Sequence, residues 1–220
     1  MSTLTGPEIA DAGLTDWAYL NGGLQTRLAT KKFATGLRLV DQIGAAAEAA
    51  NHHPDLDLRY PHLDIRLTSH DAGGVTNRDL ALARVISELA AAEGVAARPD
   101  VAKLVEIALD TPDADAVRPF WQAVLDMREH GAVPDIDLRD DVLPSLWFQA
   151  SGSDEPRQRF HLDLWVAPEV VEAQIAAALA AGGVLVSDAE APSYWVLADS
   201  EGNQVCLCTW QDRDPEVEAR

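Results

Sequence analysis

Glu48, His52, His53, His70 and Asp79 fall within 32 residues of one another, in the stretch EAANHHPDLDLRYPHLDIRLTSHDAGGVTNRD. Histidine is the side chain whose unperturbed pKa lies nearest neutrality, so three in a short window point to proton transfer or metal binding. Read on their own, the residues leave three uses open: surface or capping histidines, a metal site, or acid–base work. Glu48 and His52 are four apart, which on one helix puts them on one face and lets the carboxylate set the imidazole tautomer. Pro54 ends that helix, so the imidazoles sit at its C-terminus, where partial negative charge favours the protonated form. His70 precedes Asp71-Ala72-Gly73-Gly74, a loop able to carry it back over the helix end. His62 falls on the polar side of a strand and reads as ordinary surface.

The elements around this window follow from periodicity. Residues 15–30 read as two strands about Asn21-Gly22-Gly23, a hairpin signal. Phe33, Leu37, Val40 and Ile43 recur at helical spacing from Lys31 to about Asn51. Leu56–Tyr60 and His62–Thr68 alternate as strands broken at Pro61, with Leu63, Ile65 and Leu67 on one face. Thr76-Asn77-Arg78-Asp79 reads as a capped helix start, and Leu80, Val85, Ile86 and Leu89 continue that helix to Gly94. The first unit is α+β, a ββαββα antiparallel sheet with its helices on one face. Gly94–Pro99 reads as a linker, placing domains at 1–96 and 97–220, the second closing in a short acidic tail.

Beyond the linker a weak repeat of about 55 residues recurs. Val105–Leu109 precedes a helical Ala114–Met127, and Phe160–Val166 precedes a helical Pro168–Ala181. Strands then follow in each copy, at Ser145–Gln149 and at Tyr194–Leu197 with Val205–Thr209. Cys206 and Cys208 share a strand face, poorly placed to bond each other, and read as small core residues in a reducing cytoplasm.

The bulk numbers exclude several partners. Hydrophobic residues make up 47% and charged residues 24%, the balance of a globular chain. The formal net charge of −19 divides as −4 over residues 1–100 and −15 over 101–220. Such a surface repels phosphates and anionic lipid, arguing against nucleic-acid and membrane partners. No apolar run approaches the ~20 residues of a membrane span, and MSTLTGPEIADAG lacks the features of a secretory signal.

The spacing of the histidine window is more specific than its composition. Glu48, His52-His53-Pro54, Tyr60, His70 and Asp79 at these intervals resemble the signature of the pterin-4a-carbinolamine dehydratases, over about residues 4–93. Trp17 and Phe33 resemble further family positions. The resemblance implies dehydration of 4a-hydroxytetrahydropterin to quinonoid dihydropterin without a metal or other cofactor, in a homo-oligomer acting on a small-molecule pterin. It implies catalytic roles for His52, His53 and His70, and a pterin-binding set of Glu48, Asn51, Pro54, Thr68 and Asp79. Glu48 then orients His52 or meets the pterin edge, while Asp79 caps its helix and shapes the pocket. The sequence departs from the family at Leu56-Asp57, where many members carry an aromatic pair.

Residues 101–210, with FHLDLWV and ADSEGNQVCLC, resemble the glyoxalase-like branch of the vicinal-oxygen-chelate superfamily. That likeness implies paired βαβββ modules, with metal-ligand positions falling at Glu106, Gln149, His161 and Cys206. Only Glu106 and His161 are convincing ligand types there, so the set is degenerate and a metal-free module is expected. Trp121, Trp147, Trp165 and Trp195 are candidates for pocket lining or core. His130 is placed in a loop. The rival functions are a metal-dependent lyase or dioxygenase in the second domain, and a non-catalytic ligand-binding scaffold.

Overall fold

Turn chemistry and alternation build the first sheet. A computed structural model describes residues 2–115, 118, 128–129, 138–139, 144–150, 160–198, 202 and 204–213. These fall into two units, Met1–Ala102 and Lys103–Asp212. In the first, β1 (Ala18–Leu20) and β2 (Gly23–Leu28) pair antiparallel with Leu20 opposite Gly23. Asn21 and Gly22 between them both have positive φ, 38° and 71°. That is what a two-residue hairpin turn requires, and these residue types tolerate it. β3 (Asp55–Arg59) and β4 (His62–Leu67) complete an antiparallel sheet ordered β1-β2-β4-β3. Arg27 and Asp64 lie opposite each other on β2 and β4, joined by two hydrogen bonds of 2.6 Å.

Three helices accompany this sheet: α1 (Gly6–Asp11), α2 (Phe33–Ala50) and α3 (Asn77–Ala92). The expected ββαββα order is therefore present, preceded by a short α1 that Thr5 and Glu8 cap reciprocally. Leu24, Leu28, Leu63, Ile65 and Leu67 from the sheet share one core with Leu39, Ile43 and Ala47 of α2 and Leu82, Ala83 and Ile86 of α3. Truncating one of these leucines or isoleucines to alanine costs about 2–5 kcal/mol.

The buried stripe of α2 differs from the expected one. Gly36, Leu39, Ile43 and Ala47 face the core, whereas Phe33 and Leu37 are 47% and 54% exposed. Two small residues complete the true stripe because the helix lies close to the sheet. A Cβ on Gly36 would meet Leu58 Cδ1 at 2.5 Å. The Gly94–Pro99 segment is tied to β2, with Ala29 N–H donating to Ala96 O, Arg98 N–H to Arg27 O, and Leu28 bridging Ala97.

The second unit carries an eight-stranded sheet ordered β10-β11-β12-β9-β5-β8-β7-β6. Its strands are β5 (Leu104–Thr111), β6 (Arg128–Glu129), β7 (Leu138–Arg139), β8 (Leu146–Ala150), β9 (Phe160–Trp165), β10 (Val184–Ser187), β11 (Tyr194–Ala198) and β12 (Gln204–Cys208). A helix at Pro168–Ala180, α4, follows β9. The two modules meet where β5 and β9 pair antiparallel, and among the described residues the strands of the expected paired layout are present. Most of the helix expected at Ala114–Met127, together with Trp121 and His130, lies outside the described residues. Val171 and Ile175 of α4 pack with Trp195, Leu197 and Leu207 on one sheet face. Alternation sends Glu106, Asp110, Gln149, His161, Asp163 and Cys206 to the other face. No helix among the described residues is long and apolar enough to cross a membrane.

Candidate active site

The end of α2 decides where the two adjacent histidines go. Asn51 follows the helix in the left-handed conformation, φ 47° and ψ 44°. Its N–H donates to Glu48 O, and His52 N–H reaches back to Ala47 O. These are the paired bonds of a Schellman closure, and asparagine is among the few residues that accept that backbone. The chain turns sharply there, so His52 is buried while His53 stays exposed.

This geometry corrects the expected pairing of Glu48 with His52. Four-residue spacing holds only while both residues are helical, and His52 lies beyond the left-handed cap. Glu48 instead meets His53, with Oε1 3.1 Å from Nε2. Both side chains are largely exposed, at 80% and 56%.

His52 takes its partner from 27 residues away. Its Nε2 lies 2.7 Å from Asp79 Oδ1, and Asp79 is fully buried. As expected, Asp79 caps α3: with Thr76 as N-cap, the two residues form a reciprocal capping box. Oδ2 of Asp79 accepts the Thr76 N–H at 2.7 Å, the Ser69 hydroxyl at 2.7 Å and the Thr76 hydroxyl at 3.2 Å. Surrounded by donors, the carboxylate acts as acceptor only, so the proton between it and His52 belongs on Nε2. Nδ1 of His52 is left as the nitrogen that can exchange a proton. Asp79 therefore both closes a helix and sets a histidine tautomer. Ser69, which the sequence reading passed over, holds the far oxygen of that carboxylate.

His70 follows Ser69 directly and is exposed. Its loop is closed by Ser69 N–H to Gly74 O and by Ala72 and Gly73 N–H to Ser69 O. The guanidinium of Arg78, in the first turn of α3, ties down Asp71, and that bond holds the Asp71 carboxyl below the usual carboxylate range. Thus Ser69 and Arg78 anchor the His70 loop to the helix start that also holds His52. Of the expected pterin contacts, Pro54 is half-buried after the histidines. The Thr68 hydroxyl is engaged by Gly22 O at 3.0 Å, in the β1–β2 turn. His62 is half-buried beside Asp64, 3.6 Å away, so it is more enclosed than a surface residue.

In the second unit the four family-derived positions share a sheet face without forming a ligand set. Glu106 is buried and accepts from Ser145 Oγ at 2.7 Å and Trp165 Nε1 at 2.9 Å. Gln149 supplies only a neutral amide. His161, Asp163 and Cys206 do converge, with their ligand atoms within 4.8 Å of one another. Trp147 stands edge-on to the His161 ring, centroids 5.8 Å apart, while Trp195 lies in the α4-side core. Neither cysteine is in a disulfide; Cys208 is buried as expected, whereas Cys206 is half-buried.

The antiparallel α+β unit thus carries two adjacent histidines, each against its own carboxylate. Residues 2–89 match the family model described as pterin 4 alpha carbinolamine dehydratase, and residues 106–208 match that of a glyoxalase-like domain. A protein of Koribacter versatilis (strain Ellin345) with the provisional name pterin-4-alpha-carbinolamine dehydratase is 39% identical over 89 residues, 40% of this chain and 95% of that protein. Through its first unit, the chain belongs to the pterin-4a-carbinolamine dehydratase family. Two solved structures are also similar. A transcriptional coactivator/pterin dehydratase from Brucella melitensis is 28% identical, covering 40% of this chain and 99% of that one, with a TM-score of 0.39. A glyoxalase/bleomycin resistance protein/dioxygenase superfamily member from Vibrio splendidus 12B01 is 14% identical, covering 49% and 99%, with a TM-score of 0.35.

Proposed function

We propose that the first unit dehydrates 4a-hydroxytetrahydropterin to quinonoid dihydropterin by histidine acid–base catalysis, with the glyoxalase-like unit as an accessory module. One observation carries this reading: His52 and His53 each have a dedicated carboxylate, Asp79 and Glu48. The reaction needs two proton transfers. The C4a–O bond breaks as its oxygen receives a proton and leaves as water, and the electron pair of N5–H forms the C4a=N5 bond as that proton departs. One proton is delivered and one removed, so the balance closes on titrating side chains alone.

His53, exposed and oriented by Glu48, and His52, presenting Nδ1 with Nε2 held by Asp79, perform the two transfers. His70 meets the 4a-hydroxyl from its loop. Asn51 and Pro54 set the turn that separates the two imidazoles, and with Thr68 they frame the pterin. Assembly as a homo-oligomer belongs to the same reading, since Phe33 and Leu37 leave apolar surface on α2 that a second copy can cover. A reducing cytoplasm suits two cysteines that form no disulfide.

Stopped-flow absorbance on freshly generated 4a-hydroxytetrahydropterin tests the proposal. The expected outcome is quinonoid dihydropterin formation well above the buffer rate, unchanged by EDTA. A rate equal to buffer with folded protein present would rule the activity out.

A further inference from the structure

We propose that the acidic segment 214–220 of this chain docks on the open side of the β1–β2 hairpin, the side of the first sheet that faces away from its helices. Alternation puts Tyr19 and Leu24 with the core that α1, α2 and α3 share, and sends Ala18, Leu20 and Gln25 to the opposite side. Leu20 is nevertheless wholly buried and Ala18 only 5% exposed, although neither belongs to that core. A leucine on a side without helices is buried only where further chain lies over it. Arg66 covers part of this corner. Its side chain crosses Gly23, where a Cβ would meet Nε at 2.6 Å, and Nη2 donates to Asn21 O at 3.4 Å. Opposite Arg66 on β2, Gln25 Nε2 is buried and has no acceptor among the described residues, which costs stability unless one is supplied.

Delivery, pattern and charge single out this segment. Arg213, the last described residue, already groups with the first unit and not with the sheet it follows. The residues beyond it, Asp214-Pro215-Glu216-Val217-Glu218-Ala219-Arg220, alternate in character. In an extended chain Pro215, Val217 and Ala219 share one side, and Asp214, Glu216 and Glu218 the other. The apolar side matches Ala18 and Leu20, and the backbone carbonyls offer Gln25 its acceptor. Neither β1 nor β2 carries an acidic side chain, so the carboxylates approach Arg66 without repulsion from these strands. Extended, the segment reaches ~24 Å, more than twice the ~10 Å of the three-residue β1.

Hydrogen–deuterium exchange read by mass spectrometry, on the full chain and on one ending after Arg213, tests the docking. Residues 18–25 should exchange at least ~10-fold faster in the shortened chain, while β3, at the opposite edge of the same sheet, keeps its rate. Val217→Asp, which keeps the length and removes the apolar contact, should reproduce that acceleration. Equal rates over residues 18–25 in the full and shortened chains overturn the proposal. So do wild-type rates in Val217→Asp, or an acceleration shared equally by β3 in both variants, which marks general destabilisation. Protection of residues 18–25 that falls when the full chain is diluted ~10-fold assigns the cover to a second copy, and also overturns it.

Discussion

The two units treat histidine and carboxylate differently, and the contrast separates their chemistries. In the first, His52 sits 2.7 Å from a fully buried Asp79 whose second oxygen is already held by Ser69 and Thr76. Both oxygens of that carboxylate are engaged, and Nδ1 is the imidazole nitrogen that Asp79 does not hold. In the second, His161 stands 3.5 and 3.6 Å from two carboxylates on opposite sides of its ring, and one oxygen of Asp110 makes no hydrogen bond. The first arrangement is complete without further ligands. Equal residue types thus sit in different surroundings in the two units, according to how many donors reach the carboxylate.

Disturbing the first arrangement gives the largest effects. In Asp79→Asn the Thr76 N–H still needs an acceptor, so the amide oxygen turns toward Thr76 and the NH₂ toward His52. The imidazole must then offer a lone pair at Nε2 and carry its proton on Nδ1. We expect kcat for dehydration to fall ~10²-fold, the lower end of what loss of a general acid or base costs, with stability to urea reduced by about 1 kcal/mol. Unchanged kcat would show that His52 needs no fixed tautomer.

Ser69→Ala is milder. Asp79 keeps the Thr76 amide and hydroxyl, so its orientation survives. Stability should drop by about 1 kcal/mol, with kcat falling less than ~10-fold. A collapse of kcat with stability intact would place Ser69 in direct contact with substrate instead.

Arg78→Ala should have the smallest effect, confined to the His70 loop. The Asp71 carboxyl, held low by its bond to Arg78, should titrate higher by NMR in the variant. Its folded-state pKa lies below the unfolded value, so in the wild type the tie persists above the ordinary carboxylate range. It is lost as pH falls through the depressed folded-state value. An Asp71 titration identical in both proteins would show that the bond does not persist in solution.

Much of the scaffold was legible because local signals agreed. Alternation in HLDIRL, the Asn21-Gly22 turn and the Thr76/Asp79 capping pair each specify an element without tertiary help. On α2 the large side chains of Phe33 and Leu37 give the stronger sequence signal, but Gly36 and Ala47 face the core because their small size allows close packing. The Glu48–His52 pairing failed for a backbone reason. Asn51 before His-His-Pro is a left-handed closing residue, and a helical count cannot run through it. The family window included Asp79, but its bond to His52 spans 27 residues and no periodicity predicts it. In the second unit, alternation in FHLDLWV already placed Asp163 on the face of His161. It is not among the positions shared with the superfamily. β10, at Val184–Ser187, also went unread.

The central claim is that acid–base work on a pterin resides in the first histidine pair and not around His161. Stopped-flow dehydration rates for wild type, His53→Ala and His161→Ala, measured side by side, test it most directly. The account predicts that His53→Ala lowers kcat by ~10²-fold or more while His161→Ala matches the wild type. Full activity in His53→Ala, or loss of dehydration in His161→Ala, would contradict it.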